Sequence, residues 1–210
     1  MAVTMMGACD GGSPGAPVPT VSDGMEADRP KDNASPPLGA PRAGSPAASS
    51  HGPEPLVGEE IARAQWSRSR DRRGCAPLAL ASDAGAQGVA RAADFSGGWG
   101  VAFDLPALRS AYGFAGPSLL PQDEAPAATQ RARLATQWPH LRDIDGLPAP
   151  AFAGYGLSGA EPYPADNPEG RGLHSVAYLR VGGQVCTYNV WSRISRAHLE
   201  ALLDNLRLLR

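Results

Sequence analysis

The chain has 210 residues, with 19 Lys and Arg against 21 Asp and Glu, a formal net charge of −2 and 42% apolar residues. A balance this close to neutral leaves no basic footprint for nucleic acid, so no nucleic-acid partner is expected. No run reaches the ~18 apolar residues that a membrane-spanning helix requires.

Composition divides the chain into three parts. Between Asp10 and Val57 stand ten prolines, seven glycines, seven alanines and six serines, with no aromatic residue and no isoleucine. Such a segment cannot bury enough apolar surface to offset the entropy of ordering its backbone, so residues 10–57 are expected to be a disordered linker. The first isoleucine is Ile61 and the first aromatic residue Trp66. Residues 58–210 are expected to form one globular domain, because a chain of ~150 residues can bury about 70% of its unfolded surface in a single core.

Residues 1–9 are the third part. Within them, Met6-Gly7-Ala8-Cys9 resembles the lipobox of bacterial lipoproteins, where small residues precede a cysteine that is acylated and becomes the mature N-terminus. Gly7, Ala8 and Cys9 follow that pattern, and Met6 stands where leucine is usual. The resemblance implies lipidation of Cys9 and anchoring in a lipid bilayer. It implies a place in the bacterial cell envelope, facing the periplasm or exterior, with residues 10–57 as the tether. A signal peptide has a basic n-region and an apolar h-region of ~7–15 residues. Here the first basic residue is Arg29, so residues 1–9 read as the tail of a signal peptide whose start lies upstream of Met1. The alternative is a cytoplasmic protein with a disordered N-terminal arm.

In the domain, the first element expected is a helix over 59–73, stopped by Gly74. Its arginines, Arg63, Arg68, Arg70, Arg72 and Arg73, read as a solvated face or as a contact for anionic lipid headgroups. Strands are expected over 76–81, over 98–104 with Trp99, Val101 and Phe103 alternating, and over 151–157. A second helix over 124–137 should end before Trp138-Pro139, since the residue before proline avoids the helical region. Two β-rich runs, 175–181 and 184–191, flank Gly182-Gly183 and read as a hairpin with a two-residue loop. That register sets Val181 against Gln184, Leu179 against Cys186, Ala177 against Tyr188 and His174 against Trp191. One face then carries Ala177, Leu179, Val181, Cys186, Tyr188 and Val190, the expected core. The other is mixed, and either partly wet or covered by a loop such as 162–172. The closing segment 195–210 places Leu199, Leu202, Leu203, Leu206 and Leu209 on one helical stripe with Ser195 as N-cap. The order predicts an α+β fold: a mainly antiparallel sheet with a C-terminal β-hairpin and a final amphipathic helix, with helices on one side of the sheet.

Few residues suggest chemistry. His51, His140, His174 and His198 are scattered without metal-ligand spacing, so no metal and no cofactor is expected. Gly156-Leu-Ser158-Gly-Ala160 approaches the nucleophile elbow, but Ala160 holds the last position and Glu161-Pro-Tyr-Pro blocks a following helix. A strand end and turn is the plainer reading. An exported serine hydrolase using Ser158, His174 and an acid such as Asp166 is the alternative. The expected function is a non-enzymatic domain that binds an envelope protein or a small ligand. His174, Trp191 and Tyr178, on or beside the mixed face of the hairpin, are the candidate ligand-binding residues. With Cys9 assigned to lipid, Cys75 and Cys186 remain, an even count that predicts a disulfide between the first strand and the last hairpin.

Overall fold

The computed structural model describes residues 55–70, 72–95, 97–117, 119 and 121–210. Cys9, the lipobox-like segment and the expected linker as far as Glu54 lie outside the described residues. In chain order the elements are α1 (Glu59–Trp66), β1 (Leu78–Leu80), β2 (Val89–Ala93), β3 (Trp99–Leu105) and β4 (Leu108–Gly116). After a 3₁₀ turn at Pro121–Glu124 come α2 (Ala127–Gln137), β5 (His140–Asp143), β6 (Phe152–Leu157), β7 (Ser175–Arg180), β8 (Thr187–Ser192), α3 (Arg196–Asn205) and β9 (Leu206–Leu208).

Among the described residues a seven-stranded sheet runs in the order β2-β3-β4-β8-β7-β6-β5, and β1 pairs with β9 in a separate two-stranded ribbon. Every pairing is antiparallel. The fold is therefore α+β, with the C-terminal hairpin β7–β8 and the closing helix α3 that the sequence predicts.

Period-two alternation splits the large sheet into two faces. Trp99, Val101, Phe103, Tyr112, Phe114, Ala177, Leu179, Tyr188 and Val190 form the core face, and α1, α3 and the β1–β9 ribbon pack over it. Leu56 and Val57 also pack against this core, the latter bridged to Leu80. Helix α2 does not join this layer. It packs on the opposite face over β6, which corrects the expectation of helices on one side. Two glycines admit it: a Cβ on Gly154 would lie 2.9 Å from Trp138 and 3.0 Å from Leu134, and one on Gly156 would lie 2.7 Å from Pro139.

The helices α1 and α3 and the hairpin depart from the prediction, and α2 begins at Ala127 rather than 124. Helix α1 stops at Trp66, well before Gly74. The Trp66 indole N–H donates to the carbonyl of Cys75 (2.7 Å), and Ser67 Oγ donates to the carbonyl of Ala64 (2.9 Å). A serine side chain that bonds the backbone in this way competes with helical hydrogen bonds. Helix α3 starts as predicted, with Ser195 Oγ accepting from the His198 N–H (3.1 Å), but ends at Asn205. Leu206 turns extended, and β9 pairs Leu206 with Leu80 and Leu208 with Leu78. Leu206 and Leu209 are buried all the same, from the ribbon rather than from the helix.

The hairpin register is the third difference. Leu179 faces Tyr188 and Ala177 faces Val190, two positions from the predicted pairing. The connection Val181–Cys186 is drawn out of the ladder by other partners. Val185 N–H donates to Gly74 (2.8 Å), Gly182 N–H to Pro148 (2.8 Å), and Gln184 Oε1 accepts from Ala76 N–H (2.7 Å). Cys186 is bonded to Cys75, with an S–S distance of 2.06 Å and a Cα–Cα distance of 5.4 Å. An even slip returns each side chain to its own face, so the predicted core set survives. Four strands, β2, β4, β5 and β9, were not predicted.

A buried polar chain ties α3 to the sheet. His198 Nε2 lies 3.2 Å from the Asp83 carbonyl, which can only accept, so this nitrogen carries the proton. Nδ1 then accepts from Ser192 Oγ at 3.0 Å, and Ser192 Oγ accepts from Ile194 N–H. The Asp83 carboxylate accepts from Tyr112 OH (2.8 Å) instead of from the imidazole. Burial holds the His198 pKa below the ordinary histidine value, against the opposing pull of Asp83.

Two predictions follow from these ties. The disulfide closes a loop of sequence separation 111. Chain entropy caps its contribution at about 5 kcal/mol, and its loss should cost ~2–5 kcal/mol. Paired Cys75→Ala and Cys186→Ala changes should lower the urea midpoint accordingly; an unchanged midpoint contradicts this. For His198 the folded pKa is depressed, so the unfolded chain takes up the proton first. Stability is whole above pH ~6.5 and declines as pH falls from there toward the folded-state value. Urea midpoints between pH 7.5 and 5 should drop. His198→Gln should flatten the slope in part, leaving the share from His174, whose pKa burial also depresses.

Candidate functional site

The second face of the sheet holds an open groove of about 670 Å³. Its floor is laid by alternate residues of neighbouring strands: Ala93 from β2, Ala102 from β3, Asn189 and Trp191 from β8, Val176 and Tyr178 from β7. Small residues on β2 and β3 leave room at that end. Trp191 lies flat across β4 because Gly113 opposes it. A Cβ at Gly113 would run into the indole ring and into the Val101 carbonyl. The indole N–H donates to the Ser110 carbonyl (3.3 Å), and Phe95 stacks on the ring at 5.9 Å between centroids and 13° between planes. On the far side Trp138, at the end of α2, packs against Tyr178 with centroids 5.2 Å apart. The groove is thus walled by two aromatic pairs.

The rim is polar. Asp94, Ser158, His174 and Arg193 are exposed there. Partial burial, then the Arg193 charge, keeps the His174 pKa below the ordinary histidine value. Ser158 sits on a turn at the end of β6, where Ala160 N–H returns to Leu157 O (2.9 Å) and Leu157 N–H reaches Glu161 O (2.9 Å). The backbone is left-handed at Gly159 (φ 92°) and Ala160 (φ 64°), the geometry of a turn and not of a strand-to-helix elbow.

One group on the floor stands apart. Asn189 is 6% exposed, yet among the described residues its carboxamide has no hydrogen-bond partner. The other polar side chains of β8 are all engaged. Thr187 Oγ1 donates to Asp123 (2.7 Å), Tyr188 OH to the Ala76 carbonyl (2.8 Å), Trp191 to Ser110, and Ser192 meets His198. Asn189 alone turns its polar end into the groove.

All three candidate ligand-binding residues, His174, Trp191 and Tyr178, line this groove. His174 does not face Trp191 across the ladder, however: Val176 does, and His174 precedes β7. The loop 162–172 does not cover the face. Its Glu169 carbonyl accepts from Arg196 N–H (2.8 Å), Gly172 N–H donates to Ile194 O (2.9 Å), and Tyr163 packs on His140 and under Arg196. Ser158 and His174 share the rim, joined main chain to main chain by Ser158 N–H to His174 O (2.8 Å). Among the described residues their side chains make no hydrogen bond with each other, and Asp166 is not part of the groove lining. The side-chain Ser–His pair the fold does make, Ser192–His198, lies buried on the helical face.

Phe95, Trp138, Asn189 and Arg193 were not foreseen as site residues. The signal that could have found Asn189 is a polar residue on a strand with a core face; Phe95 follows β2, whose Val-Ala-Arg-Ala-Ala sequence carries little strand signal. Among the described residues no cluster of His, Cys, Asp or Glu is placed to hold a metal ion. Comparison of the chain with protein-family models, with curated proteins and with solved structures finds no match.

The Gly113–Trp191 fit generates a direct test of the floor. Gly113→Ala should lower stability by ~2–4 kcal/mol through overpacking against fixed backbone. It should also shift the indole N–H resonance of Trp191 by dislodging its bond to Ser110. An alanine accepted without either change contradicts the packing described.

Proposed function

We propose that the domain is a non-enzymatic binding module whose ligand occupies the groove on the second face of the sheet. The observation that carries this is the groove itself: two aromatic pairs around a floor of small and apolar residues, with one unpartnered amide at its base. Natural ligand sites combine mostly apolar walls with a few placed polar groups, at volumes of ~300–1,000 Å³. The hydrolase alternative draws less support, because Ser158 and His174 meet only through their main chains.

The module is carried on an acylated Cys9 at a bacterial membrane, in the periplasm or outside. Gly7-Ala8-Cys9 supports this, and so does the Cys75–Cys186 bond, since structural disulfides persist in oxidising compartments. The exposed arginines Arg63, Arg68, Arg70, Arg72 and Arg73 around the end of α1 suit an anionic headgroup surface. No helix among the described residues is long and apolar enough to cross a membrane.

The full-length chain should bind 1-anilinonaphthalene-8-sulfonate saturably at one site, its rings in the groove and its sulfonate near Arg193 and His174. Tyr178→Ala, at a half-exposed position, should weaken binding about threefold to tenfold without unfolding the domain. Absence of saturable binding, or indifference to Tyr178→Ala, overturns the groove reading. Labelled palmitate that enters the wild-type chain equally with Cys9→Ser overturns the anchor.

A further inference from the structure

We propose that the groove's ligand presents a planar ring with an amide-like edge, a hydrogen-bond donor beside an acceptor, and that Asn189 reads this edge. The proposal rests on the groove being a ligand site and adds the chemical class of what it holds. A carboxamide offers an N–H donor and a C=O acceptor side by side. Its full complement is an acceptor beside a donor in one plane, as in a lactam, a pyridone, a pyrimidinone or a purinone. A purely apolar ligand would strip water from Asn189 and give nothing back, which weakens its binding.

The surroundings set the rest of the ligand's shape. Asn189 lies directly across the ladder from Tyr178 on one side and Ala115 on the other, with Trp191 next along the same face. The small Ala115 and Ala102 leave room over the amide, and the stacked Phe95–Trp191 pair and the tilted Trp138–Tyr178 pair flank it. Flat walls of this kind favour a flat ring. Charge is confined to the rim, at Asp94 and Arg193, so the ring that enters is neutral and any charged substituent points outward. Solvent reaches the groove, so water serves the amide in the free protein and is exchanged for the ligand edge on binding.

The test uses the full-length chain and two isosteric bicycles, 2-quinolone, whose lactam has both donor and acceptor, and coumarin, whose lactone lacks the donor. Isothermal titration should show 2-quinolone binding at least about tenfold more tightly than coumarin. In Asn189→Leu the two should bind alike. The wild-type comparison stands on its own should that variant fold poorly. Equal binding of the two by the wild-type chain overturns the proposal, as does binding of neither, while saturable uptake of the anilinonaphthalene probe keeps the groove reading intact. Failure of all three probes removes both.

Discussion

Strand β8 is buried along its whole length, and the two sides of the molecule depend on that fact. It is the middle strand of seven, held between β4 and β7. Alternation sends Tyr188, Val190 and Ser192 into the layer beneath α1 and α3 and turns Asn189 and Trp191 to the groove. No residue can change sides without a one-residue slip that would exchange every core side chain for a groove side chain. The core thus fixes the groove's floor: the apolar burial that stabilises one face also places the amide and the indole on the other.

The remaining structure serves that strand from both ends. The disulfide and the hydrogen bonds of Val185 and Gln184 hold the chain leading into β8 against the segment before β1. The Ser192–His198 contact fastens its last residue to α3. These ties join segments distant in sequence, from Gly74 to His198, so the groove is built on rigid scaffold. Preorganised floors of this sort spare a ligand the entropic cost of ordering its site.

Legibility from sequence followed the strength of local patterning. The leucine stripe as far as Leu203, the Ser195 cap and the Tyr-Asn-Val-Trp alternation of β8 were readable, because each is a local rule obeyed, whereas Leu206 and Leu209 leave the helix for the ribbon. The predicted pairing of Cys75 with Cys186 also holds, since strands at opposite ends of the domain meet in the core. Strand β4 was missed because its glycines, Gly113 and Gly116, weaken any strand signal. Their reason is tertiary: Gly113 admits Trp191, and a Cβ on Gly116 would lie 2.8 Å from the Cys75 sulfur. The hairpin register failed likewise, because Gly182-Gly183 makes its turn while distant partners draw Val181–Cys186 out of the ladder. Helix α2 was predicted but its side of the sheet was not, since Gly154 and Gly156 read as flexibility and not as a seat for Trp138 and Pro139. What the groove contains was legible at His174, Trp191 and Tyr178, whereas its walls depended on contacts no local pattern encodes.

The central claim is that the outward half of β8 is a binding surface and the inward half a core. Amide and side-chain NMR of the chain during titration with 2-quinolone measures this most directly. The account predicts shifts at the Asn189 carboxamide, the Trp191 indole and the rim residues His174 and Arg193, with Tyr188, Val190 and the α3 amides unmoved. Shifts concentrated on α3 and the inward residues of β8, or spread evenly over the domain, would contradict it.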